Sequence, residues 1–418
     1  MNAKGSFNHM AAQPRPRSAF PREQARASPG EPKMQGCVCA GLGAKLPVMS
    51  LRLATFNVEN LMNRFDFSGF RNQLNEDRTL ALFDIRTEAE YRMLEQARVI
   101  AHSDDTRQLT ALAIAATRAD IICLQEVDNI EALKAFEYGY LFKMIGEGYR
   151  QKYTTAGNDS RGIDVAIMMR AETMHGQPIE FVRMTSHAYV TFEQFGLFTP
   201  ELASLGYEPS QRIFRRDCLE VDVTVGGVPL TLYLVHFKSM GPPRNGLDGR
   251  AATMPLRIAE ASAVRRIVES RFGRDHAASK RWAICGDMND YRQRVKIDGD
   301  SHSGYRFEVA DEDRSCLDVL LAGGFCENVV ERRPEMDRWT LYHTRGPQER
   351  HLCQLDYILL SPALASRNEA AVPDIVRNGQ PWRTPFPAGQ EVERFPRAGW
   401  DRPKASDHCP VAVTLDLV

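Results

Sequence analysis

Apolar residues recur along this chain with two periods. Short continuous or alternating runs end at a carboxylate, an amide or a histidine, and longer stretches repeat every three to four residues. The most informative run is Trp282–Asn289, WAICGDMN. Four of its first five residues are apolar and it breaks at Gly286, which predicts a buried strand. Asp287 and Asn289 follow two residues apart, so extended geometry points them the same way.

Comparable runs lie on both sides of it. Ser50–Asn60, SLRLATFNVEN, alternates and predicts a strand ending at Phe56, with Asn57 and Glu59 just past it. Residues 75–118 carry helical periodicity, with a second helix over Thr106–Arg118. Asp120–Glu126 reads as a buried strand with a carboxylate at its end, and 130–145 as helix. Ser160–Arg170, SRGIDVAIMMR, predicts a strand with Asp164 at its beginning. Further strands are expected over Ile179–Met184 and Asp217–Val225, with Glu193–Gln211 an irregular insertion between them. Gly226-Gly227 predicts a hairpin turn into Val228–Phe237, where His236 and Lys238 fall on one face. Gly241–Pro255 reads as a loop and Leu256–Arg271 as a helix. Residues 290–314 are polar and irregular, and Leu317–Ala322 is a short element. Trp339–His343 and Gln354–Leu360 look like a strand pair, and Leu364–Ala405 is an insertion rich in proline and arginine. A turn at Ser406 leads into a last alternating strand.

Residues 1–48 show no apolar periodicity. They carry seven Lys and Arg against two Glu, and six prolines and five glycines fall in the first fifty positions, a composition expected to stay disordered. No internal repeat and no linker is visible over 49–418, which is expected to be a single domain with insertions. At 43% hydrophobic and 26% charged, the chain can bury a substantial core. Its net charge of −1 gives no general attraction to nucleic acid or anionic membrane, although a local basic groove stays open. No run approaches the roughly 18 apolar residues of a membrane span, and no secretory signal is seen, so a cytoplasmic location is expected. Nine cysteines, an odd number with no zinc-type pairing, suggest reduced and mostly buried thiols.

The predicted strand ends carry Asn57, Glu126, Asp164, His236, Asp287, Asn289, Asp356, Asp407 and His408. This donor set is rich in oxygen and lacks a thiolate, which suits Mg2+ or Mn2+ better than zinc. Magnesium takes one or two carboxylates and completes its shell with water and phosphate oxygens, so the set fits a phosphate ester. The two histidines would supply a proton donor and a clamp for developing charge.

The segments TFNVEN, LQEV, GDMN, LDYILLS and SDHCPVAV, in that order, resemble the endonuclease/exonuclease/phosphatase superfamily, which includes pancreatic deoxyribonuclease, neutral sphingomyelinases and inositol polyphosphate phosphatases. The resemblance spans about residues 50–418. SRGIDVA and LVHFKS are most similar to its bacterial nuclease-like branch. It implies an α/β four-layer sandwich, two mixed β-sheets packed face to face with helices outside and the active site at one end of the sheets. It also implies a Mg2+- or Mn2+-dependent hydrolase of phosphate esters, with nucleic acid as substrate and no stable protein partner. Glu126 would be the principal metal ligand, with Asn57 and Asp407 nearby. Asp287 would orient or deprotonate water, Asn289 would hold water and phosphate oxygen, and His408 would bond the phosphoryl group. Asp356 would pair with His408 and keep it protonated, since a nearby negative charge raises a histidine pKa. His236 takes the place of the general acid, with Asp164 expected to orient it. Where that branch often has Asn before the histidine, Val235 stands here. Arg161, Arg216 and Lys238 are candidate phosphate clamps. Two alternatives remain: a lipid or inositol-phosphate esterase, to which Phe195, Leu197 and Phe198 point, and a binding module without catalysis.

Overall fold

The computed structural model describes residues 49–61, 87–159, 162–241, 248–344 and 349–418, without the side chains of 91–103. The expected disorder of 1–48, the beginning of the helix expected from 75, and Arg161 lie outside the described residues. Among those described, sixteen strands, β1–β16 in chain order, form three sheets.

The first large sheet has the order β15-β16-β1-β2-β4-β3. Its strands are β1 (Ser50–Leu61), β2 (Ile121–Val127), β3 (Gln151–Thr154), β4 (Asp164–Met169), β15 (Asp374–Ile375) and β16 (Val411–Asp416). The second has the order β11-β14-β8-β7-β6-β5. It comprises β5 (Ile179–Ser186), β6 (Cys218–Val225), β7 (Val228–His236), β8 (Trp282–Asp287), β11 (Glu327–Asn328) and β14 (Asp356–Leu360). Each sheet is mixed: β1–β2 and β7–β8 run parallel, while β16, β4, β6 and β14 pair antiparallel to them. A smaller sheet, β10-β9-β13-β12, is built from β9 (Gln293–Asp300), β10 (Gly304–Asp311), β12 (Leu341–Thr344) and β13 (Arg350–Cys353).

The alternation along β1 explains the layering. Leu51 and Leu53 face a buried cluster shared with Leu219, Val221, Leu232, Cys285 and Ile358 of the second sheet, so the two sheets pack face to face. Ala54 and Phe56 point the other way, into a cluster with Ile114 and Leu133 of the helices Glu88–Thr117 and Ile130–Phe136. Across the molecule, Trp282 and Ile284 pack with Ala263, Val264 and Ile267 of the helix Gly249–Phe272. Helix, sheet, sheet and helix give the four layers expected. Full burial of each such side chain is worth roughly 1.5–3 kcal/mol, and a one-residue slip would reverse every one of them, so the register is strongly specified.

Several elements differ from the sequence reading. A single helix, Glu88–Thr117, replaces the two expected; Thr87 and Glu90 form a capping box at its start, and Arg118 ends it in the left-handed region. The helix expected from Leu256 begins at Gly249, where Asp248 accepts from the Ala251 amide at 2.7 Å, and it runs through Pro255. Residues 293–311, expected to be irregular, form the β9–β10 hairpin; its apolar positions Val295, Ile297, Phe307 and Val309 are diluted by charges. The expected pairing of Trp339–His343 with Gln354–Leu360 does not occur: β12 pairs with β13, and β14 pairs with β8. Gly286 does not end its strand either. It continues β8 with φ +151°, and a Cβ there would meet the Val235 carbonyl oxygen at 1.9 Å, so only glycine lets β7 and β8 approach this closely.

Candidate active site

The C-terminal ends of β1, β2, β7 and β8 and the beginnings of β4, β14 and β16 share one edge of the sandwich, because parallel strands end where their antiparallel neighbours start. Pairing puts His236, Asp287 and Asp356 in one row across β7, β8 and β14. Bulges do the rest. The β1–β2 register shifts between Asn57 and Leu61, and the β2–β4 register shifts between Gln125 and Val127. Of six non-glycine residues with positive φ among those described, four sit here: Glu59, Asn60, Glu126 and Asn289. Left-handed backbone costs an ordinary side chain of order 1–3 kcal/mol and persists where surrounding structure imposes it. Here the bulges turn Glu126 out of the alternation of β2 and toward the row.

Asp287 is the centre of this arrangement. Its Oδ2 accepts from Asn57 Nδ2 and from Asn289 Nδ2, each at 3.0 Å. The same oxygen lies 3.5 Å from His236 Nε2 and 3.8 Å from His408 Nε2. Burial pushes Asp287 up to about 7, against the pull of His408. His408 Nδ1 donates to Asp356 Oδ2 at 2.9 Å, and Thr340 Oγ1 donates to the same oxygen at 2.6 Å. Burial alone would lower the His408 pKa, but Asp356 and Asp287 reverse that and hold it well above the usual histidine range. Ser406 Oγ fixes the turn beneath His408, donating to the Asn57 carbonyl at 2.7 Å and accepting from the His408 amide at 3.0 Å.

Glu126 accepts from Asn57 Nδ2 at 3.3 Å and from the Asn60 amide at 3.0 Å, and lies 3.8 Å from His236 Nε2. Burial, and then repulsion from Asp407, raises its pKa. Asp407, half-exposed, is held low against burial by Lys404 and His408. Among the described residues no three Asp, Glu, His or Cys side chains form a ready cage for a metal. Mg2+ does not require one, since it keeps waters and takes one or two carboxylates. Glu126 and Asp407 fit that demand: two carboxylates that repel each other across a space with partial solvent access. Asn57 fits it less well than expected, because its NH2 faces Glu126 and Asp287 while its Oδ1 accepts from the Glu59 amide at 3.1 Å. In this arrangement its NH2 spans the two carboxylates.

The other expected residues are near but differently engaged. Arg216 is buried, pairing with Asp159 at 2.9 Å and donating to the Phe237 carbonyl at 2.9 Å, so it braces the end of β7. Lys238 Nζ turns back onto Ser239, and burial together with Arg216 lowers its pKa. Asp164 spends its hydrogen bond on the Gly157 amide at 2.7 Å and not on His236; burial, with Asp217 and Asp159, pushes it up to about 6. Val235 packs in the core beneath the helix Gly249–Phe272, and Phe195, Leu197 and Phe198, partly buried, pack against the same cluster.

Three supporting residues carried no signal in the sequence. Thr340 holds Asp356. Glu260, buried on the helix Gly249–Phe272, accepts from the Lys238 amide at 2.7 Å and the Arg215 amide at 3.2 Å, tying together the ends of β6 and β7. Gln380 Nε2 spans the carbonyls of Ser406, Asp407 and His408 at 3.2–3.3 Å.

The four-layer α/β sandwich is the fold of a family of phosphoester hydrolases. The Endonuclease/Exonuclease/phosphatase family matches residues 54–408, and the chain belongs to it. Among solved structures the chain is similar to truncated TDP2 from Caenorhabditis elegans, with 11% identity and a TM-score of 0.44 over 88% of this chain and 98% of that one. It is also similar to a family protein from Bacteroides thetaiotaomicron, at 14% identity and a TM-score of 0.45 over 88% and 94% of the two chains. The human Nocturnin catalytic domain with bound sulfate matches at 12% identity and a TM-score of 0.45 over the same shares. No curated protein matches the sequence. No helix among the described residues is long and apolar enough to cross a membrane.

Proposed function

We propose that this chain is a Mg2+- or Mn2+-dependent phosphodiesterase that cleaves nucleic acid by in-line attack of water. The observation that carries the reading is the placement of two imidazoles on Asp287, His236 Nε2 at 3.5 Å and His408 Nε2 at 3.8 Å, with Asp356 behind one of them. A carboxylate flanked by two histidines can direct water while separate donors serve the phosphoryl oxygens and the leaving oxygen. Asp287, with a pKa near 7, is poised to orient water and take its proton near neutral pH. Asn289 Nδ2 and the Asn289 amide fix both Asp287 oxygens. His408, held charged by Asp356, donates from Nε2 to the phosphoryl group as negative charge builds. His236 gives the leaving oxygen its proton, a need that diester alkoxides have and activated phenolates lack. Glu126 and Asp407 would hold the cation, which when bound would polarise the phosphoryl oxygens and offset their charge. Arg216 acts at one remove by bracing Phe237, next to His236.

The test is a substrate panel of plasmid DNA, RNA, an abasic duplex, sphingomyelin and an inositol phosphate, each with and without Mg2+. Cation-dependent cleavage of one of the nucleic acids is expected. Turnover confined to lipid or inositol phosphate would overturn the substrate, and no turnover of any phosphate ester would overturn the reaction.

A further inference from the structure

Trp400 and Trp382 are 71% and 59% exposed, and Trp400 is the most exposed large hydrophobic residue among those described. An exposed tryptophan gives up a large burial gain, so two of them at one place mark a contact surface. They do sit at one place. The Trp382 amide donates to the Gly399 carbonyl at 2.9 Å, and the Arg383 amide to the Trp400 carbonyl at 2.8 Å, closing 382–400 into a loop with both residues at its neck.

That neck is fastened to the catalytic turn. Trp382 is two residues from Gln380, whose side chain holds the Ser406, Asp407 and His408 carbonyls. Trp400 is two residues from Arg402, which pairs with Glu59 at 2.7 Å, and Glu59 accepts from the Asp407 amide at 2.9 Å. Two residues reach at most about 7 Å, so the Trp382 backbone lies within that span of the residue whose side chain holds the turn, and the Trp400 backbone within that span of the residue that pairs with Glu59.

Two arginines flank Trp382. The other cations of residues 377–404 are engaged elsewhere: Arg377 pairs with Asp337, Arg397 with Asp105 at 2.8 Å, and Arg402 and Lys404 with Glu59 at 2.7 and 3.0 Å. Arg383, partly exposed, pairs with Asp401 at 2.8 Å, and the Arg394 guanidinium lies 5.5 Å from the Trp382 ring centre. Exposed ion pairs of this kind are weak and can exchange a carboxylate for a phosphate. Aromatic faces interleaved with guanidiniums are what an unpaired strand requires, rings for bases and cations for the backbone.

We infer that Trp382 and Trp400 form a stacking platform for unpaired bases of the strand whose phosphate lies at His408. The inference rests on the nucleic-acid reading above and adds to it: the substrate is single-stranded or frayed on the side of this loop.

Four tryptophans make the experiment direct. Trp282 and Trp339 are buried, so fluorescence sensitive to ligand comes from the other two. The full chain in EDTA, titrated with a single-stranded oligonucleotide, should show quenching that the Trp382→Ala/Trp400→Ala double variant lacks. With Mg2+, KM for the oligonucleotide should rise roughly 5- to 100-fold per ring removed, with a smaller change in kcat. Turnover of bis(4-nitrophenyl) phosphate, which has no base to stack, should fall far less and reports folding. An unmoved oligonucleotide KM in the double variant overturns the platform and leaves the function standing. A wild type that hydrolyses the small ester but no oligonucleotide shows that the nucleic-acid reading itself has failed. Quenching by phosphatidylserine vesicles in place of the oligonucleotide assigns the rings to a membrane surface and overturns the inference.

Discussion

Glu260 offers the most quantitative test of how the site is supported. It is fully buried, and both carboxylate oxygens accept backbone amides, from Lys238 and Arg215. Burial pushes its pKa from an ordinary 4.5 to about 7, against the two amides and the guanidiniums of Arg216 and Arg257. The native state therefore holds the proton more tightly than the unfolded chain. The associated stability is present in full below pH 4.5 and is lost as pH rises through 7. At about 1.36 kcal/mol per unit, the loss between pH 5 and pH 8 is about 2–3 kcal/mol. Glu260→Gln keeps the shape and cannot titrate. Its NH2 meets one of the two amides, a pH-independent penalty of about 1–3 kcal/mol.

Urea unfolding of both proteins in EDTA, at pH steps from 5 to 8, measures the consequence. The stability of the variant relative to wild type should rise by about 2–3 kcal/mol across that range. A constant difference would refute the reasoning, because it would mean that the two amides and two guanidiniums keep the carboxylate ionised despite its burial. The same variant should lose turnover at every pH, since the amides that Glu260 holds border Arg216 and the Phe237–His236 end of β7.

Glu126→Gln should abolish cation-dependent turnover and the heat of Mn2+ binding together while the fold survives; retained turnover would remove Glu126 from the site. His236→Ala should slow a diester with an alkoxide leaving group by about 10²–10⁴-fold and a nitrophenyl ester far less. Equal losses on the two would mean that His236 is not the acid. Asp356→Asn removes the charge paired with His408 at 2.9 Å. Breaking a buried pair in this way typically costs about 3–5 kcal/mol, so a clear drop in melting temperature is expected along with the loss of activity, and an unchanged melting temperature would show that the pair is not a charged one.

Which parts of the site could be read from the chain follows from what each residue does. Asp287, Glu126, His236 and His408 were legible because a buried strand must stop being apolar where it reaches solvent, and the sandwich gathers those stops along one edge. Order along the chain was enough to find them. Their partners were not legible, because a polar residue that braces looks like one that is solvated. Glu260 occupies a position that in most amphipathic helices faces water, yet here it is sealed beneath β7 by Lys238 and Arg215. Thr340 precedes a short strand whose partner, β13, has only four residues, and nothing local says that its hydroxyl meets Asp356. The hairpin β9–β10 was hidden by charges on its open face, and the pairing of β14 with β8 joins residues about seventy positions apart that no local pattern connects. Asn57 shows the sharpest form of the difference. Its position at the site followed from the strand end, but its orientation did not, because an amide can turn either its oxygen or its NH2 inward. That choice is set by Glu59, whose amide takes the oxygen and leaves the NH2 for Glu126 and Asp287. Glu59 adopts positive φ on the β1 bulge, so a backbone irregularity sets which end of the Asn57 amide faces Glu126 and Asp287.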